Sequence, residues 1–243
     1  MWSIFLKEIN SFFSSLIGYI VIGVFLVILG VIMFIFPDTS LLDSQYATLD
    51  QLFQAAPLIF MFLIPAVTMR SFAEEQQSGT IELLETRPLS DMSIVLGKYW
   101  ACLVLVIFAL LPTLLYYGTV YQLGSPKGNL DAGAIAGSYI GLILLSAVFV
   151  SIGILASSLT SNQIVAFVLA TFLCALFYYG FFYFSKLPVF VGKIDDIIQM
   201  IGIDYHYESI SRGVIDSRDI VYFLSLIALF MALTHLSLDR RRW

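Results

Sequence analysis

Three side chains near the carboxyl end are of types that could hold a metal ion. Asp204, His206 and Glu208 alternate along the chain, and carboxylates and imidazoles are common zinc ligands. One histidine beside two carboxylates is weak evidence for such a site. We therefore predict that the chain holds no metal and no cofactor of its own.

The sequence motifs of several large enzyme classes are absent. The chain has no G-x-x-x-x-G-K-[ST] phosphate loop, no H-E-x-x-H zinc motif and no G-x-S-x-G nucleophile motif. We therefore predict that the chain is not an enzyme and does not hydrolyse nucleotide. If it moves a substrate, the energy should come from another subunit.

The most polar stretch of the chain runs from Arg70 to Lys98. Apolar sequence surrounds it on both sides, so we expect this stretch to face a soluble partner. Its charged residues are Arg70, Arg87 and Lys98 against Glu74, Glu75, Glu82, Glu85 and Asp91. A solvated connection between two helices is the alternative interpretation.

Local signals divide this polar stretch into parts. Ser78 and Gly79 interrupt it, and Pro88 ends the segment that follows. Between them the apolar residues Ile81, Leu83 and Leu84 alternate with Glu82 and Glu85, which predicts a short amphipathic helix. Ser90 is the predicted N-cap of the next helix.

The composition indicates a membrane protein. Of the 243 residues, 60% are hydrophobic and 12% are charged, whereas soluble domains carry about 25% charged residues. A net charge of −5 leaves no basic face for a nucleic acid, so we predict no such partner. Cys102 and Cys174 lie in apolar runs and indicate no disulfide framework.

Six apolar segments have the length of membrane spans, which is about 20 residues. None of them contains Asp, Glu, Lys or Arg. They are residues 16–36, 52–69, 99–121, 134–155, 164–184 and 220–238. The pattern predicts an all-α polytopic membrane protein, with residues 1–243 forming a single transmembrane domain.

Shorter helices are predicted outside these spans. Apolar residues at helical spacing in residues 1–13 favour a helix in the membrane interface, although an extension of the first span is the alternative. Before the last span, residues 194–201 and 207–212 predict two short external helices, the second ending at Gly213. Pro57, Pro65 and Pro112 are expected to kink the second and third spans.

The distribution of basic residues predicts the orientation. Arg240, Arg241 and Arg242 end the chain, whereas residues 37–51 contain no Lys or Arg. The positive-inside rule therefore places both termini and the Arg70–Lys98 stretch in the cytoplasm.

Two further features concern contacts between elements. Gly133, Gly137 and Gly141 are spaced by four residues, and small residues at this spacing let helices approach closely. Residues 156–163 form a tight predicted turn on the same side as the Arg70–Lys98 stretch. This turn could contact the same soluble partner.

The polar stretch resembles the first cytoplasmic loop of ABC-2-type transporter permeases. That loop reads R-x-x-x-x-E-x-x-x-G-T-x-E-x-L, followed by Pro and by G-K at the third span. The matching residues are Arg70, Glu75, Gly79, Thr80, Glu82, Leu84, Pro88, Gly97 and Lys98. Residues 157–166 resemble the second cytoplasmic loop, and the start at Lys7-Glu8 and residues 212–216 are also similar. Within the family, the gliding-motility-associated permease subunits of Bacteroidota are the most similar group.

The resemblance implies a permease subunit of an exporter in the bacterial cytoplasmic (inner) membrane. It implies a second permease half, identical or paralogous, surrounding lipid, and a separate cytoplasmic ATPase subunit that binds ATP and Mg. A membrane scaffold or assembly subunit is the alternative. The residues expected to couple to the ATPase are Glu75, Gly79, Thr80, Glu82, Leu83, Leu84 and Pro88. A second cytoplasmic contact is expected at Ser158, Thr160 and Asn162.

Overall fold

The computed structural model describes residues 1–36, 40–41, 47–80, 90–190, 192 and 194–239. Within this part of the chain all regular secondary structure is helical, which confirms the predicted all-α class. The helices, numbered in chain order, are α1 (Trp2–Ser14), α2 (Leu16–Phe34), α3 (Asp50–Thr68), α4 (Arg70–Gln77), α5 (Asp91–Leu110), α6 (Leu114–Leu123), α7 (Ala132–Leu159), α8 (Gln163–Ala175), α9 (Phe181–Ser185), α10 (Asp195–Ile201), α11 (Ile203–Ser211) and α12 (Ser217–Asp239).

Short irregular turns join some of these helices into longer rods. A 3₁₀ turn, Leu111–Thr113, links α5 to α6 at the predicted Pro112 break, and a π-helical segment, Leu176–Gly180, links α8 to α9. Five of the described helical segments are long and apolar enough to cross a membrane. The pair α1 and α2, bent by 70° at their junction, makes a sixth if it counts as one span. The chain is therefore a polytopic helical membrane protein.

Helix α7 lies at the centre of the bundle. Every residue from 145 to 158 is buried, and 83% of its most apolar window is buried, against 22% for the segments containing α8 and α12. A helix that is apolar on all sides can be covered on all sides by other helices. The outer helices α8 and α12 keep exposed apolar faces, as expected of helices in contact with lipid.

Glycines set how closely the neighbours approach α7. A Cβ at Gly153 would lie 2.1 Å from Thr68 Oγ1, so α3 and α7 cross in close contact there. A Cβ at Gly141 would lie 2.4 Å from Ile210 Cγ2, and one at Gly137 would lie 2.8 Å from the Gly213 carbonyl oxygen. Gly133 is exposed, and a Cβ there would meet only Asp131 among the residues that the structure describes. Two of the three predicted packing glycines therefore face α11 and the turn after it, and none faces another long helix.

Helix ends differ from the predicted bounds at the polar stretch. The second long helix continues almost directly into α4, so residues 70–77 are helical and not an open loop. Ser90 accepts a hydrogen bond from the Ser93 N–H and caps α5, as predicted. Because α5 begins at Asp91, Lys98 lies inside a long apolar helix and is fully buried. Lys98 directly precedes the predicted third span, residues 99–121, and belongs to the same helix.

The two short helices before α12 occur close to their predicted positions. Helix α11 begins at Ile203, four residues before the predicted start, and Gly213 follows it with a φ of +83°. Ile203, Tyr207 and Ile210 are buried on its inner face. Helix α10 has no buried residue, which agrees with a helix whose apolar side faces lipid.

Candidate coupling site

Helix α4 ends in a glycine-dependent turn. Gly79 has a φ of +68°, a conformation that residues with a Cβ rarely adopt. Its N–H donates to the Gln76 carbonyl at 3.3 Å, and the Thr80 N–H donates to the Glu75 carbonyl at 3.0 Å. This pair of bonds is a Schellman motif, which satisfies carbonyls at the end of a helix. Gly79 and Thr80 thus end α4 and direct the chain towards residue 81.

Four charged residues from three helices form a cluster beside α4, which we call the ion cluster: Lys7, Glu8, Glu75 and Lys98. The Lys98 ammonium donates to Glu8 Oε1 at 2.8 Å and to the Ser71 carbonyl at 2.5 Å. It also lies 2.9 Å from Glu75 Oε2, and Lys7 donates to Glu75 Oε1 at 2.5 Å. The cluster therefore joins α1, α4 and α5.

The ion cluster compensates a charge that would otherwise be costly. The Lys98 side chain is 0% exposed, and an uncompensated ammonium in such a place would be strongly destabilising. Two carboxylates and one carbonyl surround it, and the Phe72 ring lies 5.0 Å from the ammonium. An ammonium over an aromatic ring is a favourable cation–π contact. Burial and compensation together fix the relative positions of the three helices.

The close packing of α1 against α5 explains why a glycine, Gly97, precedes this lysine. A Cβ there would lie 3.1 Å from Ile4 Cβ and 3.1 Å from the Met1 carbonyl oxygen. A larger residue would therefore push α1 away from α5. Close contact at Gly97 brings Glu8, one helical turn further along α1, within reach of Lys98.

Ser157 ties α4 to the central helix. The backbone N–H groups of Phe72 and Ala73 donate to Ser157 Oγ at 3.0 Å each, and Ser157 Oγ donates to the Met69 carbonyl at 2.9 Å. Gln76 Nε2 also donates to the Ser158 carbonyl at 3.1 Å. Ser157 was not among the predicted contact residues, because a serine in an apolar helix carries no local sign of its partners.

The predicted ATPase-contact residues differ in what they expose. Glu75 is buried and bound by two lysines, so its carboxylate does not face a soluble partner. Thr80 is exposed. Glu82, Leu83, Leu84 and Pro88 lie outside the described residues, so the predicted amphipathic helix belongs to a part of the chain that the structure does not describe.

The predicted second contact is a helix-capping turn. Asn162 Oδ1 accepts from the N–H groups of Ile164 and Val165 and caps α8, and Thr160 Oγ1 accepts from the Asn162 N–H at 3.2 Å. Ser158 is buried, and its hydroxyl donates to a carbonyl of its own helix. Of these three residues, only Asn162 is exposed.

The possible metal ligands do not converge on one point. His206 Nδ1 lies 2.7 Å from Asp219 Oδ1, and its Nε2 lies 3.0 Å from the Met200 carbonyl oxygen. Glu208 pairs with Arg212. Both ring nitrogens of the histidine are thus occupied by partners other than the two carboxylates considered from the sequence.

A different group of possible ligands gathers at the end of α12. One ligand atom each of Asp91, His235 and Asp239 lies within 4.8 Å of the others. Three arginines, residues 240–242, directly follow this helix in the sequence.

Comparison with known families identifies the family of this chain. A family model described as "ABC-2 family transporter protein" matches residues 36–202. The chain belongs to the ABC-2 transporter family. The matched range includes α4, Lys98 and the turn at Asn162, while α1 and α12 lie outside it. No curated protein matches the chain.

Membership confirms the family that the loop motif indicated. The chain is a multi-pass membrane permease subunit of an ABC transporter, a transport subunit and not itself the ATPase. In ABC-2 transporters such a subunit works with an ATPase partner. The ion cluster lies at the base of the loop that contains the family's motif.

Proposed function

We propose that this chain is one permease half of an exporter powered by a separate ATPase. That ATPase, which binds ATP and Mg, docks at the end of the bundle that carries the ion cluster. A second permease half, identical or paralogous, completes the transport unit. The same proposal places both termini in the cytoplasm and the protein in the bacterial inner membrane.

One observation carries this proposal: both ends of the loop between α4 and α5 are fastened to the membrane helices. On one side α4 continues α3 and is bonded to α7 through Ser157. On the other side α5 carries Lys98, whose ammonium reaches Glu8 on α1 and Glu75 on α4. A force applied to the loop would therefore move α1, α3 and α5 together.

A groove on the side of the bundle supports the transport of an apolar cargo. It has a volume of about 270 Å³ and lies between α2, α3 and α8. Its lining is apolar and includes Val24, Phe62 and Phe167. Because α3 is continuous with α4, a displacement of α4 would change the width of this groove. A lipid-like substrate fits this chemistry, and a link to gliding motility rests on the sequence resemblance alone.

The decisive experiment tests docking at the loop. We expect Leu83→Ser together with Leu84→Ser to abolish co-purification of the ATPase subunit. Each buried leucine contributes roughly 1.5–3 kcal/mol, and even the lower figure corresponds to about tenfold in affinity. The measurement is the amount of ATPase retained, together with ATP hydrolysis by the reconstituted complex.

The matched control replaces two exposed apolar residues at the other end of the bundle. Ile197→Ser with Met200→Ser changes the same amount of apolar character on α10 and should leave the ATPase bound. If both double variants keep their partner, the loop is only a solvated connection. Saturable ATP hydrolysis by the purified chain alone would also contradict the proposal.

A further inference from the structure

A small cavity lies at the end of the bundle opposite the ion cluster. Its volume is about 60 Å³, and it is bounded by residues of the π-helical segment and α9 on one side and of α10 and α11 on the other. A cavity needs roughly 10–15 Å³ by this measure to hold one water molecule. The space is therefore large enough for a ligand group of a few non-hydrogen atoms.

Three aromatic rings and two carboxylates line this cavity. The rings belong to Tyr178, Phe182 and Tyr205, and the carboxylates are those of Asp204 and Glu208. Aromatic faces attract cations, and Lys186 already holds its ammonium 4.9 Å from the centre of the Phe182 ring. Lys186 itself is not among the residues that line the cavity.

The charge of Asp204 is not neutralised by a cation of the described residues. The ion pairs formed close to it are His206 with Asp219 and Arg212 with Glu208, and neither includes Asp204. Glu208 also lines the cavity, but Arg212 offsets its charge. Of the two carboxylates that line the cavity, Asp204 is therefore the one without an ion-pair partner among the described residues.

The surroundings of Asp204 disfavour its charged form. Burial raises the pKa of Asp204 above its usual range, a hydrogen bond with Tyr178 works in the opposite direction, and the Glu208 charge raises it further. A carboxylate in this situation is stabilised by any cation that enters the cavity, because burial penalises an unpaired charge.

We propose that this cavity binds a primary ammonium group. Such a group offers three N–H donors, and the lining offers the Asp204 carboxylate, the Gln199 amide oxygen and the tyrosine hydroxyls as acceptors. An anion would meet the uncompensated carboxylate and be repelled. The ammonium could belong to a free amine or to an aminolipid headgroup, since the chemistry of recognition is the same.

The test uses the full-length protein in detergent and methylammonium chloride as the probe. Isothermal titration should show saturable binding, and Asp204→Asn should weaken it about tenfold or more, because a charge-assisted hydrogen bond is lost. Asparagine keeps the size of the side chain and can still accept from Tyr178. The control Asp196→Asn makes the same charge change on the exposed face of α10, outside the cavity, and should leave the affinity within twofold.

Further measurements distinguish a free amine from an aminolipid headgroup as the source of the ammonium group. The protein is next placed in bilayer discs that contain phosphatidylethanolamine. If the ligand is a lipid headgroup, this lipid should displace methylammonium from the cavity. If the ligand is a free amine, methylammonium should stay bound. Discs of phosphatidylcholine, whose quaternary nitrogen has no N–H, should not compete in either case. Absence of saturable methylammonium binding, or equal affinities in the Asp204→Asn and Asp196→Asn variants, would overturn the site.

Discussion

At one end of the bundle a buried lysine joins α1, α4 and α5 through ion pairs, whereas at the other end α11 rests against α7 through glycine contacts. The Lys98 ammonium meets Glu8 and Glu75 within 3 Å. At the opposite end the contact depends on missing side chains, because Gly141 leaves space for Ile210.

The two ends of the bundle should respond differently to a mechanical load. Charged partners must stay together, since separating them would leave buried charges without compensation. Glycine contacts depend only on shape, and they tolerate any change that does not add volume. The helices α1, α4 and α5 at the ion-paired end should therefore move together when force is applied. The glycine-packed end holds the short helix α11 in place by shape alone.

Loss of the buried ammonium should have the largest effect. Lys98→Met keeps the length of the side chain but leaves Glu8 and Glu75 without their buried partner. We expect the free energy of unfolding to fall by about 3–5 kcal/mol, measured by denaturation of the purified protein in detergent. Lys127→Met, at an exposed position, should cost almost nothing.

A second variant separates charge from packing at the same place. Adding Glu75→Gln to Lys98→Met removes the charge of one of the two carboxylates that have lost their buried partner, and it should recover part of the lost stability. Equal stability of the single and double variants would show that Lys98 acts through its aliphatic chain and not through its charge.

Filling the glycine contact should come next in size. Gly141→Ala places a Cβ 2.4 Å from Ile210 Cγ2, and overpacking of this kind costs about 1–3 kcal/mol. Gly133→Ala is the control on the same helix, because among the described residues its Cβ would meet only Asp131. Combining Gly141→Ala with Ile210→Ala should relieve the clash, and a strictly additive loss in the double variant would contradict the contact.

Removing the hydroxyl that joins α4 to α7 should have a smaller effect. Ser157→Ala leaves the Phe72 and Ala73 N–H groups without their acceptor, at a cost of about 1–2 kcal/mol. Hydrogen exchange of these two amides should become faster. Ser158→Ala breaks only a bond within α7, and similar exchange in the two variants would argue against Ser157 as the link.

The smallest effect is expected for an exposed pair in the same region. Arg70 pairs with Glu74 one turn along α4, and both side chains are partly exposed. Arg70→Gln should change stability by about 0.5 kcal/mol or less. If Arg70→Gln lowered the free energy of unfolding as much as Lys98→Met, buried and exposed ion pairs would contribute equally here, and the proposed difference between them would be wrong.

Some features of the coupling site follow from local sequence. Gly79 ends α4 because only glycine adopts its left-handed conformation easily, and Ser90 caps α5 because its hydroxyl can accept a first-turn N–H. Glu75 was expected to couple to the ATPase because it matches the loop motif of the family. Its burial between two lysines depends on α1, which lies nearly 70 residues away in sequence.

The all-helical class, the apolar segments and the family could be predicted from the sequence, because hydropathy, helix caps and a loop motif are read from neighbouring residues. The burial of Lys98, the bonds from Ser157 to α4, and the packing of two predicted glycines against α11 and the turn after it are visible only in the folded chain. These contacts join residues separated by about 70 to 90 positions. Which faces of two helices meet depends on the packing of the whole bundle, and no local pattern records it.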